Sequence, residues 1–311
     1  MKNNTIVSAS DMNYRWGVWL LVASIRKANM DEPVLIGTYN WSKEWIEDIH
    51  KFPNVETVDL PAMDRRSVTC QKPEIMLRAD NEFVTWVDCD GIFTGNCSDR
   101  LSGMGNEIYI RSRTPSEVVE LYHRKRAPND DPEEIPVAIL DIWRRDVGEL
   151  SEPRRKRSCS AGIICVHKSR LDFLGKWRAQ MMKILPPGVD VVAKGNIGYF
   201  QTDDSILNSL LLFAADAPEI TTDYRADDLT GPHYIHFAFN PKPWIMWNPR
   251  ALRHYSLALD IVEWAESAGY SPRAPRPYTL NRDKEWLARM LAPFSRNVNR
   301  FKKLKRKVLG R

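Results

Sequence analysis

The sequence predicts an α/β protein built on a doubly wound sheet, mixed but mainly parallel, with helices on both faces. Three observations carry that expectation. Short apolar runs alternate with amphipathic helical stretches from the first residues to about Ile110. The run Phe83-Val84-Thr85-Trp86-Val87 is apolar or β-branched at every position, as in a parallel strand covered on both faces. That run ends in Asp88-Cys89-Asp90-Gly91, which puts two carboxylates at the C-terminal edge of a strand, where open α/β sheets bind ligands. With 311 residues and 43% hydrophobic content, the chain can bury one large core and carry appendages.

Taken in order, residues 5–10 read as the first strand, with Asp11-Met12-Asn13-Tyr14 as its exit turn and a helix over 16–28. A second strand is expected at 33–38, a helix at 42–51, and a strand at 55–60. A helix over 72–80 precedes the central strand, and 108–110 is a further short strand. Pro115, Pro128, Pro132, Pro136 and Pro153 interrupt the stretch 111–158, which reads as an inserted or mobile loop with some helix around 116–125. Order returns with a strand over 160–166 and a helix over 169–185. Thr202 or Asp203 then caps a leucine-rich helix. The expected division is a main α/β domain over 1–247, a helical region over 248–293 and a basic tail over 294–311.

The net charge of +5 suits a phosphate-bearing ligand or an anionic surface without demanding nucleic acid. The five cysteines form no CxxC pair, so neither a disulfide framework nor a zinc site is expected. The start has no signal architecture and the apolar run 16–25 is too short to span a bilayer, so a cytoplasmic protein is expected.

Two stretches point to chemistry. Asp88 and Asp90 can offer oxygens to one divalent cation and its phosphates, although an Asp- and Gly-rich turn alone would also suit these residues. In His236-Phe237-Ala238-Phe239-Asn240-Pro241-Lys242-Pro243-Trp244, prolines on either side of Lys242 shape a loop and leave His236 on the preceding strand. An imidazole and an ammonium there would suit a metal-bound diphosphate, although a lone strand histidine is more often a satisfied core residue, with Trp244 as a core anchor.

In this order, Ala9-Ser10-Asp11-Met12-Asn13-Tyr14, Asp88-Cys89-Asp90, Ser160-Ala161-Gly162, Asp203-Asp204-Ser205-Ile206-Leu207-Asn208 and the His236 loop resemble the retaining GT-A glycosyltransferases of family 8, the glycogenin and lipopolysaccharide galactosyltransferase group. The resemblance implies that Asp11, Asn13 and Tyr14 hold the uridine of a UDP-sugar. It also implies that Asp88, Asp90 and His236 ligate Mn²⁺ or Mg²⁺, and that Lys242 binds the diphosphate. Asp203 and Asp204 would face the donor sugar, Asp204 standing where the family usually has Gln. Phe239 replaces a customary glycine. Lys72 and Arg78 compete for the place of an arginine ahead of the metal strand. The implied reaction is hexose transfer, with retention, to a glycan or lipid-linked acceptor of a bacterial surface polysaccharide.

Two other functions fit parts of the pattern. Asp88 and Asp90 also resemble the first motif of haloacid dehalogenase-type phosphohydrolases, with Lys168 or Lys194 as phosphate lysine and Asp203 and Asp204 as late metal-binding acids. That reading leaves His236 and Lys242 without a role. A non-catalytic nucleotide-sugar-binding protein is the third. Finally, residues 296–311 hold eight Lys or Arg and no acid. Phe294, Val298, Phe301, Leu304 and Val308 recur among them at helical spacing, which favours an amphipathic helix on an anionic membrane surface over a disordered tail or a nucleic-acid arm. The protein would then lie on the inner face of the cell membrane.

Overall fold

The structure, a computed structural model, describes residues 3–61, 68–102, 107–185, 196–221 and 233–295. Its main sheet holds seven strands in the order β3-β2-β1-β4-β7-β6-β8. These are β1 (Asn4–Asp11), β2 (Val34–Tyr39), β3 (Val55–Asp59), β4 (Phe83–Val87), β6 (Ile108–Ser112), β7 (Cys159–His167) and β8 (Ile220–Thr221). β1 pairs in parallel with β2 and β4, and β2 with β3. β7 runs antiparallel between β4 and β6, and β6 pairs in parallel with β8. The sheet is thus mixed and mainly parallel, as the alternation of strand and helix predicts.

Both faces are covered, which is why β4 reads as a continuous run of apolar or β-branched residues and why even the polar residues of β1 from Asn4 to Ser10 are buried. Ile6 of β1 belongs to the core on one face and its neighbour Val7 to the core on the other. The first face is covered by α1 (Arg15–Lys27), whose Trp19 and Val22 share a core with Leu259 and Val262 of α9 (Tyr255–Ser267). The second is covered by α3 (Lys72–Met76), α6 (Val137–Val147), α7 (Leu171–Ile184) and α8 (Asp203–Phe213). The remaining helices are α2 (Lys43–Ile49), α4 (Ser98–Ser102), α5 (Pro115–Tyr122) and α10 (Glu285–Leu291).

The stretch 111–158 is more ordered than a loop. Two of its prolines start helices: Pro115 is the first residue of α5, behind a Thr114–Glu117 capping box, and Pro136 caps α6. α6 is anchored by fully buried Ile139 and Trp143, and the Trp143 indole donates to the Gly198 carbonyl at 2.7 Å. The expected helix over 72–80 ends at Met76. The basic segment 296–311 lies outside the described residues.

A second, two-stranded sheet positions the chemistry. β5 (Gly91–Phe93) leaves the Asp88–Asp90 turn and pairs antiparallel with β9 (Tyr234–His236), in a register that sets Gly91 opposite His236. A methyl group on Gly91 would stand 2.2 Å from the Tyr234 hydroxyl, so only glycine admits this approach.

Candidate functional site

β4 carries its chain to Asp88, whose backbone N–H donates to Gly162 on β7 at 2.8 Å, fixing the turn to the sheet edge. The Phe237 N–H donates to the Asp90 carbonyl at 2.7 Å, tying the His236 strand to the same turn. His236 Nε2 consequently sits 3.0 Å from Asp90 Oδ1 and 3.5 Å from Asp88 Oδ2. Asp88, Asp90 and His236 each offer one ligand atom, and those atoms lie within 4.8 Å of one another. Two carboxylate oxygens and one imidazole nitrogen fit Mn²⁺, and Mg²⁺ less well, leaving positions for phosphate oxygens.

Two buried lysines balance the acids. Lys242 Nζ lies 2.5 Å from Asp90 Oδ2 and donates to the Phe237 carbonyl at 2.7 Å. Lys72, only 2% exposed, bridges Asp88 Oδ1 and Asp203 Oδ2, each at 2.8 Å, and donates to the Ala161 carbonyl at 3.0 Å. Burial works against ionisation of Asp90, yet His236 and Lys242 hold its carboxyl well below the usual range. Burial would lower His236, but Asp90 and then Asp88 outweigh it and raise the imidazole above its ordinary value. Burial pushes Asp203 up to about 6, with Asp88 and Asp204 adding to it and Lys72 opposing. Lys72 itself remains charged because its carboxylate partners outweigh its burial.

Asp203 and Asp204 open α8, but not as simple caps. Thr202, at the N-cap position, has a φ of +49° and makes no side-chain cap bond. That conformation is strained for a β-branched residue. Asp203 turns to Lys72. Asp204 accepts from Arg113, from the Ala161 N–H at 3.2 Å and from Asn208 Nδ2 at 3.2 Å.

Two cavities flank the Asp88–Asp90 turn and share its carboxylates. The smaller, about 340 Å³, is lined by Asp11, Tyr14, Tyr39 and Trp86. The larger, about 720 Å³, is lined by Lys72, Asp203, Asp204, Arg113, Gln201 and His236. Both are of ligand-pocket size. Asn13 braces the smaller one, its N–H and Nδ2 donating to the Asp11 carboxylate at 2.9 and 3.0 Å. Tyr14 stands edge-on to Trp244, 5.6 Å between ring centres, and burial followed by Asp90 raises its hydroxyl pKa.

The structure therefore gathers Asp88, Asp90, His236, Lys242, Lys72, Asp203 and Asp204 at one sheet edge, with Asp11 and Tyr14 beside them. It does not bring Arg78 there. That side chain pairs with Glu74 at 3.4 Å, one turn back, so of the two rivals only Lys72 reaches the site. Lys168 donates its N–H to Glu82 ahead of β4, at the strand end opposite Asp88, and Lys194 lies outside the described residues. Lys168 therefore does not support the phosphohydrolase arrangement. Arg113, Gln201, Asn248 and Arg250 also line or brace these cavities and are not evident from the sequence. Their places come from tertiary contacts, and the only signal for Asn248 was its position just after the proline-shaped loop. Asn248 Nδ2 donates to the Phe239 and Pro241 carbonyls at 3.2 and 3.1 Å, while its Oδ1 accepts from the Arg250 and Ala251 N–H groups at 3.0 Å each.

No protein-family model matches the sequence, and no curated protein does. Solved structures do. The apo bifunctional glycosyltransferase WbbM aligns with a TM-score of 0.56 at 14% identity, over 83% of this chain and 49% of its own. The glycosyltransferase GlyE of Streptococcus pneumoniae TIGR4 gives 0.52 at 14%, over 87% and 65%. The galactosyltransferase LgtC, solved with donor and acceptor sugar analogues, gives 0.50 at 15%, over 87% and 97%. This chain spans about half the length of WbbM and nearly all of LgtC. At such identities the likeness is one of architecture: the fold is the GT-A type of these glycosyltransferases.

Proposed function

We propose that the protein is a metal-dependent glycosyltransferase that moves a hexose from a UDP-sugar to a glycan or lipid-linked acceptor with retention of configuration. The observation that carries this reading is the convergence of Asp88, Asp90 and His236, with Lys242 against Asp90, between two ligand-sized cavities. The uridine would occupy the smaller cavity beside Asp11 and Tyr14, and the sugar and acceptor the larger one.

Breaking a sugar–phosphate bond leaves a nucleoside diphosphate whose growing negative charge must be met without delay. A divalent cation held by Asp88, Asp90 and His236 would supply a Lewis acid for those oxygens when bound. Lys242 adds a fixed positive charge at the same place. Lys72 holds Asp88 and Asp203 in position, and Arg113 holds Asp204, so that two carboxylates face the cleft where a donor sugar would lie. Either could stabilise positive charge developing at the anomeric carbon, or attack it.

The proposed setting is bacterial surface-glycan synthesis at the inner face of the membrane, with the basic segment 296–311 against anionic lipid. Among the described residues, no helix is long and apolar enough to cross a membrane. Vesicle binding by the full chain and by a chain ending at Pro293 tests that setting; equal binding contradicts it.

The reaction is tested by incubating the purified protein with a panel of UDP-hexoses and Mn²⁺ and following UDP release. Release that requires metal and disappears in Asp88→Asn and Asp90→Asn supports the reading. A donor that binds but is neither transferred nor hydrolysed identifies a non-catalytic binder instead.

A further inference from the structure

Beyond the larger cavity lies a third, of about 350 Å³, which shares Glu117, His236, Phe239 and Arg250 with it and adds Arg253 and His254. Its construction follows from the residue that departs from the family pattern. Phe239 is 48% exposed, and the Arg250 guanidinium lies 4.2 Å over its ring. Stacking of this kind fixes the plane of an arginine and leaves its N–H edge free to form paired hydrogen bonds to an anion. Asn248 locks the two residues together by bonding the Phe239 carbonyl and the Arg250 N–H at once.

The charges along this wall are only partly cancelled. Arg250 spends one nitrogen on Glu120, at 2.7 Å. Glu117 is committed elsewhere, to a two-pronged pair with Arg111 at 2.9 Å each and to the Thr114 N–H at 2.8 Å. Arg253 is exposed and has no ion pair among the described residues. Burial and the neighbouring Arg253 hold His254 below its ordinary pKa, so it offers a neutral ring nitrogen and the positive charge comes from the two arginines.

We infer that this pocket recognises an anionic group, a phosphate or a carboxylate, on the acceptor sugar. The inference rests on the transferase reading for the word acceptor, and on Phe239, Arg250 and Arg253 for the anion. An acceptor reaching past the metal-binding triad would place its charged substituent in the pocket that Arg250 and Arg253 line.

The test is calorimetric titration of the full chain, saturated with UDP and Mn²⁺ so that the donor site is filled, with glucose 6-phosphate, glucuronate and uncharged glucose. The expected result is binding of at least one of the charged sugars and no measurable binding of glucose. Arg253→Gln, whose melting temperature reports any loss of fold, should weaken the charged probe by about tenfold. Glucose 6-phosphate alone would assign a phosphate ligand, glucuronate alone a carboxylate. No binding of either, or binding unaltered in Arg253→Gln, overturns the inference. UDP binding is measured first: its failure overturns the transferase reading, while the charged probes, repeated without UDP, still decide the anion site.

Discussion

His236 stands directly opposite Gly91 in the β5–β9 ladder, although nearly half of the chain separates them in sequence. This pairing turns a strand histidine into a partner of Asp88 and Asp90. It depends on close approach from the other side too, because a methyl group on Gly162 would lie 2.8 Å from His236 Nδ1.

Gly162→Ala should therefore push the His236 ring aside while leaving the sheet paired. The expected outcome is Mn²⁺-dependent UDP binding weakened about 10–100-fold, the usual cost of disturbing support around a metal ligand. Calorimetry with and without metal checks it, and unchanged affinity would show that His236 is not needed.

Lys72 and Arg78 make a contrast. Removing the Lys72 ammonium leaves the buried Asp203 carboxylate without its cation and takes from half-buried Asp88 one of its two cationic neighbours, so Lys72→Met should destabilise the protein by roughly 3–5 kcal/mol. Arg78→Ala breaks only a half-exposed pair with Glu74 and should cost less than about 0.5 kcal/mol. Urea unfolding of both variants measures the difference; equal effects would contradict the placement of Lys72.

Asp48 ties α2 to the segment ahead of α10, accepting from the Arg273 N–H at 2.8 Å and Nε at 3.1 Å, with Lys51 at 2.8 Å. Burial opposes its ionisation, but Lys51 and Arg273 prevail and lower its pKa. A lowered folded-state pKa stabilises above the unfolded value, about 3.9, and the gain is lost as pH falls through the folded one. Asp48→Asn should lower the melting temperature by about 2–4 °C at pH 7. That gap should shrink below about pH 4. A gap that persists undiminished at acid pH would show that the charge does not matter.

Much of this architecture is written locally. The apolar run of β4, the Asp11–Tyr14 turn and the loop around Lys242 announce themselves through period, turn residues and proline. The direction of β7 does not, because Ser160-Ala161-Gly162-Ile163-Ile164 is equally apolar whichever way it runs. β5 is three residues long, too short for any period to show. Prolines misled over 111–158, since Pro115 sits at a helix start, where its missing N–H costs nothing. Arg113 and Arg250 were invisible because nothing near them in sequence distinguishes a cleft arginine from a surface one. The difference between Lys72 and Arg78 is likewise set by tertiary contacts.

A joint metal and nucleotide site at the end of β4 is what every proposed role of this protein depends on. Thermal-shift titration of the wild-type protein and Asp90→Asn with UDP, in Mn²⁺ and in EDTA, examines it in one experiment. The predicted result is stabilisation of the wild type by UDP only when Mn²⁺ is present, and none in Asp90→Asn. Stabilisation by UDP that is indifferent to metal, or that survives in Asp90→Asn, would contradict it.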